Sequence, residues 1–206
     1  MSEPSRTWGL IGDSQATGLV APLRDLFEKR GFVLDGYRGE VGWSTARFAA
    51  TRDAEDVVRG RPAFVLVVLG GNDMPTMALQ EKMGIVVSQL RSVEPPPRII
   101  WVGPAHSSVP ETQDRKRAVD VFQRAASSRL GFDWIDGGAM TADIPHSQDG
   151  IHFSATGSRE WARRLDSHIF GTRLLPADAP SRIAAIVGTL SVAGMLGWLG
   201  WMIWRK

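Results

Sequence analysis

The sequence contains no cysteine. A disulfide framework, a catalytic thiolate and a cysteine-ligated zinc or iron–sulfur site are therefore excluded. Histidine is also scarce, because the chain has only four, spread from position 106 to position 168. This scatter does not indicate a histidine-rich metal site, and we expect neither a metal nor an organic cofactor.

A large excess of charge is absent as well. The formal net charge of the 206-residue chain is +2, and two of its 24 basic residues are the C-terminal Arg205 and Lys206. The 22 basic residues upstream balance the 22 acidic ones, whereas a nucleic-acid-binding domain usually has a net basic face. The sequence therefore predicts no nucleic-acid partner. The basic run at residues 115–117 is interpreted as a solvated helix face.

The two ends of the chain differ in hydrophobicity. The first eight residues, MSEPSRTW, lack the apolar stretch of a secretory signal peptide. Residues 183–204 form a 22-residue run without a charge, and about 20 such residues span a bilayer. Residues 171–182, which contain two prolines, are interpreted as a linker. We therefore expect a single-pass C-terminal membrane helix over 183–204, with the main domain on the cytoplasmic side.

The composition of this run suits a membrane helix. Its tryptophans at positions 198, 201 and 204 cluster towards one end, where an interfacial belt would lie. Small residues recur every fourth position at Thr189, Ala193 and Gly197, and this spacing places them on one helix face. The sequence therefore also predicts a surface that could pair with another membrane helix. A buried core helix is the alternative, although a core helix normally keeps a polar stripe.

Upstream of residue 171, apolar runs alternate with helix-like segments. The predicted strands are Thr7–Gly12, Phe32–Asp35, Ala63–Leu69, Arg98–Val102 and Phe132–Ile135. The predicted helices are Ala16–Arg30, Ala46–Arg59, Met77–Ser92, Thr112–Arg129 and Ala155–Phe170. Such alternation favours an α/β domain over residues 1–170, a three-layer α/β/α sandwich around a parallel sheet of about five strands. Ligands bind beyond the carboxyl ends of the strands in such folds.

Four polar or glycine-rich motifs stand at or near those strand ends. Gly-Asp-Ser ends the first strand at Ser14, and a loop with Gly36, Gly39 and Gly42 follows the second. Gly-Gly-Asn-Asp, residues 70–73, follows the third, and Asp-Gly-Ile-His, residues 149–152, precedes the last helix. Because these ends lie at one edge of the sheet, we expect the motifs to come together.

The four blocks, in this order, resemble those of the SGNH (GDSL-like) hydrolase family over residues 7–170. The resemblance implies a flavodoxin-like fold and hydrolysis of carboxylic esters through an acyl-enzyme. Ser14 would be the nucleophile, His152 its base and Asp149 the acid that orients the imidazole. The oxyanion donors would be the backbone N–H groups of Ser14 and Gly42 and the side-chain amide of Asn72.

Each motif also has a structural interpretation when taken alone. Ser14 could be only the N-cap of the following helix, Asn72 and Asp73 could form a turn, and His152 could be a surface histidine. Gly39 is the alternative to Gly42 as the oxyanion glycine. Since all four motifs must coincide by chance under the structural interpretation, their combination favours catalysis.

Several neighbouring residues receive secondary roles. Asp13 and Asp73 are expected to be structural acceptors that shape their turns. His106 and His146 lie in loops that could line the pocket. Gln15 stands where the family usually has leucine, and a glutamine there could add a polar contact or change the rotamer of Ser14.

The expected substrate is a small acyl ester, because the chain is short. The predicted span would bring the site close to a membrane, which favours O-deacetylation of an envelope glycan. Lysophospholipid or thioester cleavage is the close alternative. Acyl transfer to a sugar hydroxyl would use the same residues. A different class of function is that of a non-catalytic, membrane-anchored structural component, for example of a membrane-containing virion.

Overall fold

The apolar runs of the sequence form one parallel five-stranded sheet in the computed structural model, which describes residues 5–171. The strands lie in the order β2-β1-β3-β4-β5, the order of flavodoxin-like folds. Their bounds are β1 Thr7–Gly12, β2 Val33–Gly39, β3 Phe64–Val68, β4 Arg98–Val102 and β5 Asp133–Ile135. The predicted α/β architecture with a central parallel sheet is therefore confirmed.

Seven helices connect or flank these strands in the described part of the chain. They are α1 Ser14–Glu28, α2 Thr45–Ala49, α3 Asp53–Val58, α4 Met77–Leu90, α5 Pro110–Leu130, α6 Gly137–Thr141 and α7 Ala155–Gly171. The short helix α6 was not predicted. It begins where the Asp136 carboxylate accepts the Ala139 N–H at 2.7 Å, a capping bond that supports a helix too short to show hydrophobic periodicity.

The central strand β3 is buried along its whole length, with the sequence FVLVV, as expected for a parallel strand covered on both faces. An aromatic cluster closes one end of the sheet. The ring of Trp8 lies 4.7 Å from that of Phe27 and 6.3 Å from that of Phe64. Such contacts add to the free energy gained by burying the rings.

Two predicted elements differ from the structure by more than two residues. The single helix predicted over 46–59 is two helices, because the Thr51 hydroxyl accepts the Asp53 N–H and so competes with the helical bond at that point. Strand β2 runs four residues beyond the predicted end at Asp35, since Gly39 pairs in register with Gly12 of β1. This extension carries the β2 loop to the same edge of the sheet as the Ser14 turn.

The predicted linker and membrane helix fall outside the described residues, apart from Gly171. Across 5–171, the helices are all too short or too polar to cross a bilayer.

We expect Leu66→Ala to lower the free energy of unfolding by about 2–5 kcal/mol, because Leu66 is fully buried in the middle of β3 and the substitution leaves a cavity. Urea denaturation followed by circular dichroism would measure the change. Val121→Ala, at an exposed position on α5, is the control and should change the value by less than 1 kcal/mol. An equal effect of the two substitutions would contradict this account of the core.

Candidate active site

The Ser14 turn is shaped by its neighbour Asp13. The N-cap of α1 is Asp13, whose carboxylate accepts the backbone N–H of Gln15 at 2.9 Å. Ser14 is therefore the first residue of the helix, and capping does not occupy its hydroxyl. The Ser14 Oγ instead lies 2.8 Å from the Nε2 of His152. The interpretation of Ser14 as only a helix cap is therefore wrong.

His152 is held between Ser14 and Asp149. Its Nδ1 lies 2.6 Å from the Asp149 Oδ2, and the other oxygen of that carboxylate accepts the backbone N–H groups of Ile151 and His152 at 2.9 Å. The bond from His152, followed by these backbone bonds, holds the pKa of Asp149 well below its usual range. Because the ionised Asp149 carboxylate can only accept a hydrogen bond, the Nδ1 of His152 must carry the proton. In the neutral imidazole the lone pair is then on Nε2, which faces the Ser14 hydroxyl.

The loop that carries Asp149 and His152 is held by hydrogen bonds from three serines that lie outside the predicted motifs. The Gly150 carbonyl accepts the Ser107 hydroxyl and the Ser108 N–H, each at 2.9 Å. The Ser147 Oγ lies 2.9 Å from the Asp149 Oδ1. The only available signal for Ser107 and Ser108 was their position in a polar segment just after β4, at the edge where the motifs were expected.

The two candidate oxyanion glycines have different surroundings. Gly42 has a φ of +76°, which favours glycine, and no heavy atom lies within 4 Å of the place where a Cβ would stand. A Cβ on Gly39 would instead lie only 2.0 Å from the Tyr37 hydroxyl. The geometry therefore leaves open space beside Gly42, whereas Gly39 is enclosed by its own strand.

Asn72 lies beside the loop that contains Gly42. Its Nδ2 donates to the Trp43 carbonyl at 3.0 Å, and Trp43 directly follows Gly42. Because an amide nitrogen carries two hydrogens, this bond orients the side chain and uses one of them. The structure thus brings the Asn72 amide and the Gly42 loop together.

Two buried aspartates tie the three loops to one another, as the sequence analysis expected of structural acceptors. Asp13, whose exposed fraction is 1%, donates its backbone N–H to the Val68 carbonyl at the end of β3 at 3.1 Å, and its carboxylate lies beside Gly71 of the β3 loop. Asp73 accepts both the backbone N–H and the hydroxyl of Thr45, three residues beyond Gly42. Burial raises the pKa of both carboxyls, that of Asp13 to about 6.

The interpretation of residues 115–117 as a solvated face is wrong at its centre. Lys116 is only 2% exposed, and its Nζ is buried. Burial lowers the pKa of Lys116 to about 8, and the nearby Asp13 charge opposes that shift. Arg115 donates to the Asp73 carbonyl at 2.8 Å. This part of α5 therefore lies against the two aspartate turns, because its long side chains reach into the fold.

The two other candidate histidines pack together. The Nε2 of His146 lies 3.0 Å from the His106 carbonyl, and the two rings are 5.4 Å apart. His106, with Lys116 and Asp120, lines a cavity of about 360 Å³. Burial, and then the neighbouring His146, lowers the pKa of His106. This cavity lies between α5 and α6, and neither Ser14 nor His152 is among its lining residues. A role of His106 in the substrate pocket therefore stays a prediction.

A second, smaller cavity adjoins Asn72. Its volume is about 200 Å³, and Ser44, Met74 and Leu79 are among its lining residues. Its walls are mainly apolar side chains and the polar atoms of the Asn72 loop. Within residues 5–171, no group of three or more histidine, aspartate or glutamate side chains is placed to hold a metal ion.

Neither a protein-family model nor a curated protein matches the chain. Solved structures do share its fold. A lipase/acylhydrolase from Enterococcus faecalis has a TM-score of 0.67 at 23% identity and covers 84% of this chain and 100% of its own. The acetylxylan esterase Axe2 from Geobacillus stearothermophilus has a TM-score of 0.62 at 18% identity, and the match covers 86% of this chain and 100% of Axe2. An acetyl esterase mutant has a TM-score of 0.62 at 15% identity, and the match covers 81% of this chain and 97% of the esterase. At these identities the likeness establishes the fold.

We expect Asp13→Asn to change how stability depends on pH. The pKa of Asp13 is raised from 3.8 to about 6 by burial, so the folded state binds this proton more tightly than the unfolded state does. The contribution of Asp13 to the free energy of unfolding is therefore greatest below pH 4 and falls as the pH rises through 6. Asparagine does not titrate. The unfolding free energy of the variant relative to wild type should rise by about 2 kcal/mol from pH 4 to pH 7.

Urea denaturation at pH 4, 5.5 and 7 would measure this difference. Asp25→Asn, which removes the same charge from an exposed position of α1, is the control, and its difference from wild type should stay nearly constant. A constant difference for Asp13→Asn as well would show that burial does not perturb this carboxyl.

Proposed function

We propose that this protein is a serine hydrolase that cleaves carboxylic esters through an acyl-enzyme. The observation that carries the proposal is the continuous chain from Ser14 Oγ to His152 Nε2, at 2.8 Å, and from His152 Nδ1 to Asp149 Oδ2, at 2.6 Å. A serine hydroxyl is a weak nucleophile unless a base lies within hydrogen-bond reach. Here the base is present, and an ionised carboxylate sets its tautomer.

In the proposed reaction, the Ser14 Oγ attacks the ester carbonyl carbon while its proton passes to the His152 Nε2. The tetrahedral intermediate collapses when the bond to the alcohol oxygen breaks, and the imidazolium returns the proton to that oxygen. Asp149 stabilises the imidazolium in both steps. Water then attacks the acyl group on Ser14 with His152 again as base, which releases the acid and restores the hydroxyl.

The negative charge of the tetrahedral intermediate falls on the former carbonyl oxygen. The backbone N–H groups of Ser14 and Gly42 and the amide of Asn72 are the proposed donors to that oxygen. The glycine at position 42 leaves room for an oxygen to approach the backbone closely. The bond from Asn72 to the Trp43 carbonyl holds two of these donors in place before substrate arrives, so less reorganisation is needed during the reaction.

The proposed substrate is a short-chain ester, specifically an O-acetyl group on a carbohydrate. The cavity beside Asn72 has a volume of about 200 Å³, which suits a small acyl group. The catalytic side chains themselves are accessible, with 43% of the His152 side chain and 47% of the Asp149 side chain exposed, and this accessibility suits a bulky alcohol portion. The acetylxylan esterase and the acetyl esterase with the same fold support this choice.

The uncharged run at residues 183–204 supports a further proposal about location. Its length matches a bilayer span, so we propose that it anchors the catalytic domain to a membrane from the cytoplasmic side, with its small-residue face available to a partner helix. Protease protection of the catalytic domain in intact membranes would contradict the cytoplasmic placement. Release of the full chain from membranes by carbonate would contradict the anchor.

We expect the full-length chain, purified in detergent, to hydrolyse p-nitrophenyl acetate faster than butyrate, octanoate or palmitate esters. Ser14→Ala should reduce kcat/KM at least 10³-fold, because the nucleophile is lost. Ser127→Ala, which removes a hydroxyl on α5 that bonds to the Arg124 carbonyl, is the matched control and should retain wild-type activity. A fluorophosphonate probe should label wild type and not Ser14→Ala.

Other outcomes would point to the alternative functions. A preference for long acyl esters or acyl thioesters would replace the acetyl substrate with a lipid or thioester. Folded wild-type protein with neither hydrolysis nor labelling would favour a non-catalytic structural role.

Asn72→Ala should lower kcat for p-nitrophenyl acetate about 10²–10³-fold with little change in KM, because the lost amide stabilises the transition state more than the ground state. Gln80→Ala is the matched control, since its amide also donates to a backbone carbonyl, that of Phe122 at 3.2 Å, but lies outside the catalytic loops. A kcat within threefold of wild type for Asn72→Ala would remove Asn72 from the oxyanion site.

A further inference from the structure

Gln15 joins the nucleophile turn directly to the loop that carries the catalytic histidine. It follows Ser14 in α1 and is only 8% exposed. Its side-chain Nε2 donates to the Ile151 carbonyl at 2.9 Å, and its backbone N–H donates to the Asp13 carboxylate. A side chain at this position thus bonds to a residue 136 positions away in the sequence.

The bond forms the second of two adjacent bridges between the same pair of segments. Ser14 contacts His152, and the next residue along α1, Gln15, contacts the preceding residue of the loop, Ile151. Two bridges between consecutive residues restrict rotation of one segment against the other, whereas a single bridge does not.

The Gln15 bond also acts on the peptide unit to which His152 is attached. The carbonyl of the Ile151–His152 peptide accepts from Gln15, and its N–H donates to the Asp149 Oδ1 at 2.9 Å. Because a peptide unit is planar and rigid, bonds at its two ends fix its orientation. That orientation sets the direction in which the His152 side chain leaves the backbone.

The bridge that Gln15 supplies is more sheltered than the contact between His152 and Asp149. The His152–Asp149 hydrogen bond is exposed to solvent, where water competes for both partners and the net contribution of the bond is small. Gln15 is buried, and a hydrogen bond between neutral groups is stronger where water is excluded. The Gln15 bond is therefore the better anchor for the loop on the side of the nucleophile.

We propose that Gln15 is a positioning residue that holds the His152 imidazole at hydrogen-bond distance from the Ser14 hydroxyl. This inference rests on the proposed serine-hydrolase function. Gln15 has no part in bond making or breaking; its amide acts through the Ile151–His152 peptide. An apolar side chain of similar size would fill the space and leave the Ile151 carbonyl without this donor.

The test compares Gln15→Met and Gln15→Glu with wild type in the p-nitrophenyl acetate assay on the full-length chain. Methionine has a similar length and no donor, so kcat should fall about tenfold while KM stays within twofold. The rate of fluorophosphonate labelling of Ser14 should fall by a similar factor. A merely structural glutamine would change the melting temperature without this selective loss of kcat.

Gln15→Glu supplies a readout that depends on the hydrogen bond itself. The glutamate carboxylate cannot donate to the Ile151 carbonyl, whereas the protonated acid can donate its O–H. Burial at this position should raise the pKa of the introduced carboxyl above its usual value of about 4.3. The ratio of kcat for Gln15→Glu to that of wild type should therefore rise as the pH falls from 8 to 5. The corresponding ratio for Gln15→Met should not change with pH.

Gln89→Met is the matched control, because the Gln89 amide also donates to a backbone carbonyl, that of Thr51 at 2.7 Å, and lies away from the catalytic loops. This variant should keep wild-type kcat. Wild-type kcat in Gln15→Met, or a pH-independent ratio for Gln15→Glu, would overturn the positioning role. Ser14→Ala in the same assay distinguishes failure of the proposed serine-hydrolase function from failure of the positioning role of Gln15. Activity that does not depend on Ser14 would overturn the proposed function, and the positioning role with it.

Discussion

The buried carboxylate of Asp13 is the constraint on which the rest of the site depends. A carboxylate with 1% of its surface exposed must find donors inside the protein, because burying it without them carries a large free-energy cost. The backbone N–H of Gln15 donates to it at 2.9 Å, the backbone of Gly71 lies near enough to lower its pKa, and the Lys116 cation is nearby. Because Asp13 caps α1, the hydroxyl of Ser14 is left for His152.

From that anchor, a series of hydrogen bonds joins the loops at the sheet edge. The Asp13 N–H donates to the Val68 carbonyl at the end of β3, and Asp73 of the loop after β3 accepts two hydrogen bonds from Thr45 at the start of α2. Asn72 holds the backbone just after Gly42. The groups proposed to meet the oxyanion are thus fixed by bonds to one another and to buried charges. Such preorganisation is what makes electrostatic stabilisation of a transition state effective.

Much of the fold was predictable from local patterns. A run such as FVLVV in β3 indicates a strand covered on both faces, and alternation with helices implies a parallel sheet. The break at Thr51 and the burial of Lys116 were not predictable in the same way. The first depends on one side-chain hydrogen bond, and the second on where the neighbouring elements of the fold lie against α5, which periodicity within α5 does not encode.

The sequence by itself determined the order of the strands along the chain and the identity of the four motifs, because hydrophobic pattern and residue type are local properties. It also singled out Ser14, Asn72 and His152 and left Gly39 as an alternative to Gly42. Only the tertiary structure decided that Asp13 rather than Ser14 caps α1, that Gly39 is enclosed by Tyr37, and that the loop of His152 reaches Gln15. The first two outcomes depend on local backbone and side-chain geometry, which residue type alone does not specify. The third depends on the distance between residues 136 positions apart in the chain, which is set only once the sheet has brought the strand ends together.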